Sequence, residues 1–242
     1  MCTVTFVPSS RGCFITSNRD EKIIRAKAIP PMIYPGYDAT LLYPKDAEAN
    51  GTWIAMNKNG NAAVLLNGAF VKHTPEYPYR KSRGLIFLDI IAAAEPIDFF
   101  AEMNLYKIEP FTIVILQDKQ LYECRWDGSE KYYNTLDQNK PHTWSSATLY
   151  PDEIINKRKE WFCEWLNNHH EPSQNDIFSF HQFAGDGDKE NDVLMNRNGQ
   201  MLTVSITGIE ISPGKGTMSY LDLQDKKIVS KEMHFETPPV MS

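Results

Sequence analysis

Two short apolar runs open the chain, Thr3-Val-Thr-Phe-Val7 and Cys13-Phe-Ile-Thr-Ser17, separated by Pro8-Ser-Ser-Arg-Gly12. Their β-branched and aromatic content predicts two strands, and the intervening Pro, Ser and Gly predict a turn. Folding that hairpin about positions 9–10 lays residue 2 opposite roughly residues 17–18, so Asn18, Arg19 and Asp20 come to the start of the first strand. Residues 28–50 carry Pro30, Pro31, Pro35, Gly36 and Pro44 and are expected to form a long loop. A second hairpin is predicted at 52–56 and 62–66 around Asn57-Lys-Asn-Gly60. After a Pro- and Tyr-rich loop at 72–80 come two predicted helices, at 83–94 and from Pro96 to about 103, the latter opening on a proline suited to a first turn.

Strands are expected again at 111–117, 120–126 and 131–135. Helices follow from Pro151 to Asn167, with Glu153, Lys157, Glu160 and Glu164 on a polar face, and from Ser173 to about Phe183. A long hairpin, 200–211 and 216–223, and a polar tail close the chain. Strands group with strands and helices with helices, which predicts an α+β fold with antiparallel sheets and helical layers, not alternating βαβ units. No internal repeat or linker divides it, so residues 1–242 are expected to form a single domain.

Composition narrows the partners. The 242 residues are 42% hydrophobic and 23% charged, with a net charge of −6 and no basic block, which argues against nucleic acid or an anionic membrane surface. Apolar runs such as Phe111-Thr-Ile-Val-Ile-Leu116 fall far short of the ~20 residues of a membrane span. The N-terminus lacks the pattern of a secretory leader, and the expected location is cytoplasmic. The four cysteines, Cys2, Cys13, Cys124 and Cys163, show neither metal-ligand nor disulfide-framework spacing. The last three are expected to be small buried hydrophobes.

Cys2 stands apart. Removal of Met1 would leave it with both a thiol, pKa about 8.5, and a free α-amine, pKa about 7.7–8.0, so that one residue supplies a nucleophile and its base.

Met1-Cys2-Thr3, the tetrad Asn18-Arg19-Asp20-Glu21, Gly51-Thr-Trp-Ile-Ala55 and Asn59-Gly-Asn-Ala-Ala-Val-Leu-Leu-Asn67 together resemble the NRDE family, also named after the transport and Golgi organisation protein 2. The likeness is strongest over residues 2–70 and extends to His142-Thr-Trp-Ser-Ser-Ala147 and the C-terminal hairpin. That family is similar to N-terminal-nucleophile hydrolases of the penicillin V acylase and bile-salt hydrolase type. The resemblance implies a four-layer αββα sandwich of two antiparallel sheets between helices. It implies Cys2 as nucleophile of an amidohydrolase acting on a small C–N amide, with Arg19 favouring the thiolate, Asp20 holding the arginine or the α-amine, and Asn67 in an oxyanion hole. Asn18 and Ser146 are candidate binding residues, Ser146 standing where the acylases carry a second asparagine. Val204 falls at or near the place of an arginine of NRDE relatives. Glu21 is expected to cap a loop or helix.

A small-molecule substrate or ligand is expected, with no cofactor and no metal. The alternative is a carrier or chaperone of a hydrophobic ligand such as haem or lipid in the same cleft, since the family has been linked to haem trafficking; His73, His142 and the methionines are possible haem ligands that no spacing singles out. His169, His170 and His181 are expected to be structural or solvated, and Asp186–Asp192 a solvated acidic loop lacking the glycine and glutamate of a calcium loop. Tyr34, Tyr37, Tyr43, Tyr77 and Tyr79 either line a pocket mouth or pack their loops onto a sheet.

Overall fold

A computed structural model describes residues 3–36 and 39–236. In chain order the first strands are β1 (Thr3–Ser9), β2 (Gly12–Lys22), β3 (Ile29–Tyr34), β4 (Leu41–Lys45), β5 (Ile54–Asn57) and β6 (Ala62–Asn67), followed by helices α1 (Arg83–Ala92) and α2 (Pro96–Glu102). Then come β7 (Phe111–Gln117), β8 (Gln120–Trp126), β9 (Lys131–Leu136), β10 (His142–Ser145), α3 (Asp152–Asn167) and α4 (Gln174–Phe183). The chain continues through β11 (Asn196–Arg197), β12 (Met201–Ser212), β13 (Lys215–Asp222) and β14 (Lys227–His234).

These strands build two antiparallel sheets. One runs β10-β1-β2-β12-β13-β14, with β11 beside β12; the other runs β3-β4-β5-β6-β7-β8-β9. Because side chains alternate along a strand, each strand feeds two layers. Val4, Phe6, Cys13 and Ile15 join Ile54, Met56, Val64 and Val114 in the core between the sheets. Val7 and Phe14 point the other way, against Phe162 and Trp165 of α3 and Ile177 and Phe180 of α4. On the far side Leu65, Ile113 and Ile115 pack against Ile86, Phe87 and Ile90 of α1 and Phe100 of α2. The result is the expected α+β sandwich, helices outside and two sheets within.

Local chemistry explains the ends of these elements. Ser82 caps α1 by accepting from the Leu85 N–H, and Ser173 and Asp176 form a reciprocal capping box on α4. Close approach fixes Gly51: a Cβ there would stand 2.6 Å from the Gly84 carbonyl carbon in the first turn of α1, so only glycine lets that helix end sit on the β4–β5 connection.

Four expectations are corrected. Residues 28–50 contain β3 and β4; β3 is an edge strand, where proline's missing N–H costs no ladder bond, and Pro30 and Pro31 fall at the register shift between Ile29 and Met32. The β1–β2 turn lies one residue later than predicted, with Ser9 opposite Gly12 and Val4 opposite Ser17. Part of the predicted polar tail is β14, an exposed edge strand in which only Met233 is buried. Cys163 is exposed on α3, whereas Cys13 and Cys124 are buried and burial pushes both thiols up to about 12.

Candidate functional site

The alternation of β2 divides the Asn-Arg-Asp-Glu tetrad between two layers. Arg19 and Glu21 face the space between the sheets; Asn18 and Asp20 face the helical layer. Arg19 is 5% exposed, and its guanidinium lies 4.9 Å from the centre of the Trp53 ring. Its Nη2 donates to Asp46 Oδ2 at 2.7 Å, and Glu21 is 3.6 Å away. Asp46, and not Asp20, therefore holds Arg19. Arg25 closes on the same carboxylate in bidentate fashion, at 2.9 and 3.0 Å, and the Glu48 and Ala49 N–H groups donate to it as well. Burial alone would raise the Asp46 pKa, but these hydrogen bonds and the charges of Arg25 and Arg19 lower it from 3.8 to about 2.

Asp20, also buried, accepts from Tyr150 Oη at 2.9 Å and from Thr203 Oγ1 at 2.6 Å. Thr203 reaches it because β12 bulges there: Thr203 pairs with Asp20 and Ser205 with Arg19, leaving Val204 as the extra residue. Val204 lines a small crevice with Arg19 and Tyr220.

Asn18 is wholly buried and structural in its contacts. Its amide donates to the Val193 and His181 carbonyls, and its Oδ1 lies 2.6 Å from His181 Nδ1. His181 Nε2 in turn meets Thr5 Oγ1 at 2.8 Å. Burial, reinforced by the nearby Arg158 charge, depresses the His181 pKa to about 3, so this imidazole is neutral and acts as a strut between α4 and the first two strands.

Asn67 ends β6 before Gly68, whose φ of 81° turns the chain. Ser146 Oγ donates to the Asn67 carbonyl at 2.9 Å and lies 2.9 Å from Thr148 Oγ1. The Ser146 proton is thus committed to holding the Asn67 backbone, while the Asn67 side-chain amide makes no hydrogen bond among the described residues. Cys2 lies outside the described residues. Thr3, which follows it, pairs with Ser145 and opens a strand whose even-numbered side chains, Val4 and Phe6, enter the core between the sheets.

Arg19, Asp20, Trp53 and Asn67 line one cleft of about 880 Å³. Its other wall comes from the 77–84 segment, including Tyr77, Tyr79 and Arg83, and from Glu109. Glu109 binds Arg83 at 3.1 Å and His73 at 3.3 Å. In this acidic chain the cleft is rich in cations: Arg19, Lys22, Arg25, Arg80, Lys81 and Arg83 outnumber Asp20, Glu21, Asp46 and Glu109. Of the loop tyrosines, Tyr77 and Tyr79 border the cleft, whereas Tyr34 and Tyr43 stack on each other at 4.2 Å and pack against the outer core; Tyr37 lies outside the described residues.

A family model for Transport and Golgi organisation 2 matches residues 1–220. The chain belongs to that family. Its fold is that of N-terminal-nucleophile hydrolases. Penicillin V acylase from Agrobacterium tumefaciens superposes with a TM-score of 0.61 at 11% identity, covering 96% of this chain and 86% of that one. The Caenorhabditis elegans ortholog of N-acylethanolamine-hydrolyzing acid amidase gives 0.59 at 12% identity, covering 86% and 92%. A variant of conjugated bile acid hydrolase from Clostridium perfringens gives 0.61 at 9%, covering 100% and 98%. No curated protein sequence matches the chain.

Sequence reasoning did not find Asp46, Trp53, Tyr150 or His181 as parts of this assembly. Trp53 lay inside a motif that carried the family resemblance, but Asp46 lay in a segment discounted as loop. Tyr150 and His181 reach the tetrad across 130 and 163 residues, which no local pattern encodes. Among the described residues no helix is long and apolar enough to cross a membrane, and no cluster of His, Cys, Asp and Glu suits a metal.

Proposed function

We propose that this family member is an N-terminal cysteine amidohydrolase acting on a small linear amide after removal of Met1. The observation that supports this is the convergence of Arg19, Asp20 and Asn67 on one cleft, in a fold shared with amide-hydrolysing enzymes. In the proposed cycle the α-amine of Cys2 takes the thiol proton and the thiolate attacks the amide carbonyl carbon. The Asn67 amide donates to the developing oxyanion, a contribution on the order of 3 kcal/mol. Collapse breaks the C–N bond, the leaving nitrogen takes the proton from the α-ammonium, and a thioester remains on Cys2. Water, deprotonated by the same amine, then attacks the thioester carbonyl, releasing the carboxylic acid and restoring the thiol. Arg19 supplies positive charge beside the thiolate, and Asp46 fixes its direction.

A carrier of haem or lipid in the same cleft fits the lining less well. Ten of the 21 residues that line the cleft are charged, His73 is tied to Glu109, and His142 Nε2 lies 2.8 Å from the Asp137 carbonyl. Intact mass and acyl-enzyme trapping test the proposal. Protein from a native-like host is expected to lack one methionine and to form a thioester adduct on Cys2 with an activated acyl amide, and Asn67→Ala is expected to slow acylation about 10²- to 10³-fold. A full-length mass, or turnover that survives Cys2→Ser, sinks the mechanism.

A further inference from the structure

Arg158 of α3 is 1% exposed, and no carboxylate partners it among the described residues. Its Nη1 donates to Thr3 Oγ1 at 2.6 Å; Nε and Nη2 donate to the Asn191 carbonyl at 3.1 and 3.0 Å, and Nη2 also to the Asp192 carbonyl at 2.5 Å. The guanidinium carbon stands 3.7 Å from the centre of the Tyr150 ring. Arg197 approaches the same ring at 5.2 Å. The phenol that both guanidinium groups approach donates its O–H to Asp20.

Burying a guanidinium without a counter-ion is unfavourable, and a fold gains little stability from it that an apolar side chain of similar size would not give. What the arrangement does secure is geometry. One planar fork ties the first described residue of β1, the 191–192 backbone and, by stacking, the ring that orients Asp20. Arg158 is a long-range link, joining α3 to the strand that begins beside Cys2. From this geometry we infer that Arg158 and Tyr150 are positioning residues that set the Asp20 carboxylate and the start of β1 as one unit. The inference rests on the amidohydrolase reading for its purpose, but its structural content is tested separately. The charged and titratable groups packed about the unit are Asp20 on β2, Arg158 on α3, His181 on α4 and Arg197 on β11.

The test is the rate of Cys2 alkylation by iodoacetamide, read by peptide mass from pH 5 to 9 in a Cys163→Ser background that removes the exposed competing thiol. Tyr150→Phe keeps the stacked ring and deletes only the hydroxyl. It is expected to slow labelling about tenfold at neutral pH and to move the midpoint of the pH profile, with Tm within a few degrees of the parent. Asp20→Asn is expected to do the same, and the double variant to be no slower than Asp20→Asn alone. Arg158→Lys, which keeps the charge but loses the planar fork, is expected to reproduce the Tyr150→Phe profile. Labelling of Tyr150→Phe at the parental rate and pH midpoint overturns the inference, as does a strictly additive double variant whose slowing tracks a fall in Tm. The comparison is read the same way whether or not Met1 is removed; failure of the amidohydrolase reading shows in the intact mass and leaves this result standing.

Discussion

Replacing Asp46 with asparagine removes one negative charge from a carboxylate that serves two arginines and two backbone N–H groups. The gap between an ordinary carboxyl at 3.8 and this one at about 2, at ~1.36 kcal/mol per pH unit, gives about 2.5 kcal/mol of stability at neutral pH. Its side chain is only 13% exposed, so solvent screening takes little from that figure. In a chain of this size the loss lowers Tm by about 5–10 °C. The sign follows from the depressed pKa: the contribution is complete above 3.8 and disappears as pH falls through about 2, so about half survives at pH 3. Urea denaturation of wild type and Asp46→Asn at pH 7 and pH 3, followed by tryptophan fluorescence, measures both points. A difference below about 0.5 kcal/mol at pH 7, or one equally large at pH 3, refutes the assignment of Asp46 as the electrostatic anchor of Arg19 and Arg25. Because Arg19 is buried over Trp53, the variant is also expected to relax its direction.

Two further outcomes follow from the same structure. His181 is neutral in the folded protein down to about pH 3 while the unfolded chain takes up a proton near 6.5, so wild type is expected to lose stability as pH falls below 6.5, at up to ~1.4 kcal/mol per pH unit; His181→Gln should remove most of that slope in denaturation curves between pH 7 and 5. Gly51→Ala places a methyl group 2.6 Å from the Gly84 backbone and is expected to cost about 2 kcal/mol or more, visible as a drop in Tm with the site residues unchanged.

How far the sequence carried depended on whether the deciding interactions were local. The β1–β2 hairpin, the pairs at 111–126 and all four helices announce themselves through alternation, turns and caps. The strand β3 does not, because its prolines read as loop although an edge strand tolerates them; β14 does not, because an exposed strand needs no apolar face. The tetrad could be brought to the start of β1 by hairpin geometry, but its division into cleft-facing Arg19 and helix-facing Asn18 rests on which layer each face of β2 meets. Ser146 shows the same limit: its position near the site was legible, but its proton goes to the Asn67 carbonyl, a contact between residues 79 apart.

The bulge in β12 has a consequence for how this site can change over generations. Val204 is the residue that the register leaves over: Thr203 and Ser205 keep their places opposite Asp20 and Arg19 whatever stands between them. Its side chain meets the crevice beside Arg19, yet exchanging it alters no cross-strand pair with β2. Position 204 is therefore a point where charge or bulk next to the cleft can be rewritten by one substitution without re-registering the sheet, and where related chains can differ in chemistry while their backbones stay alike.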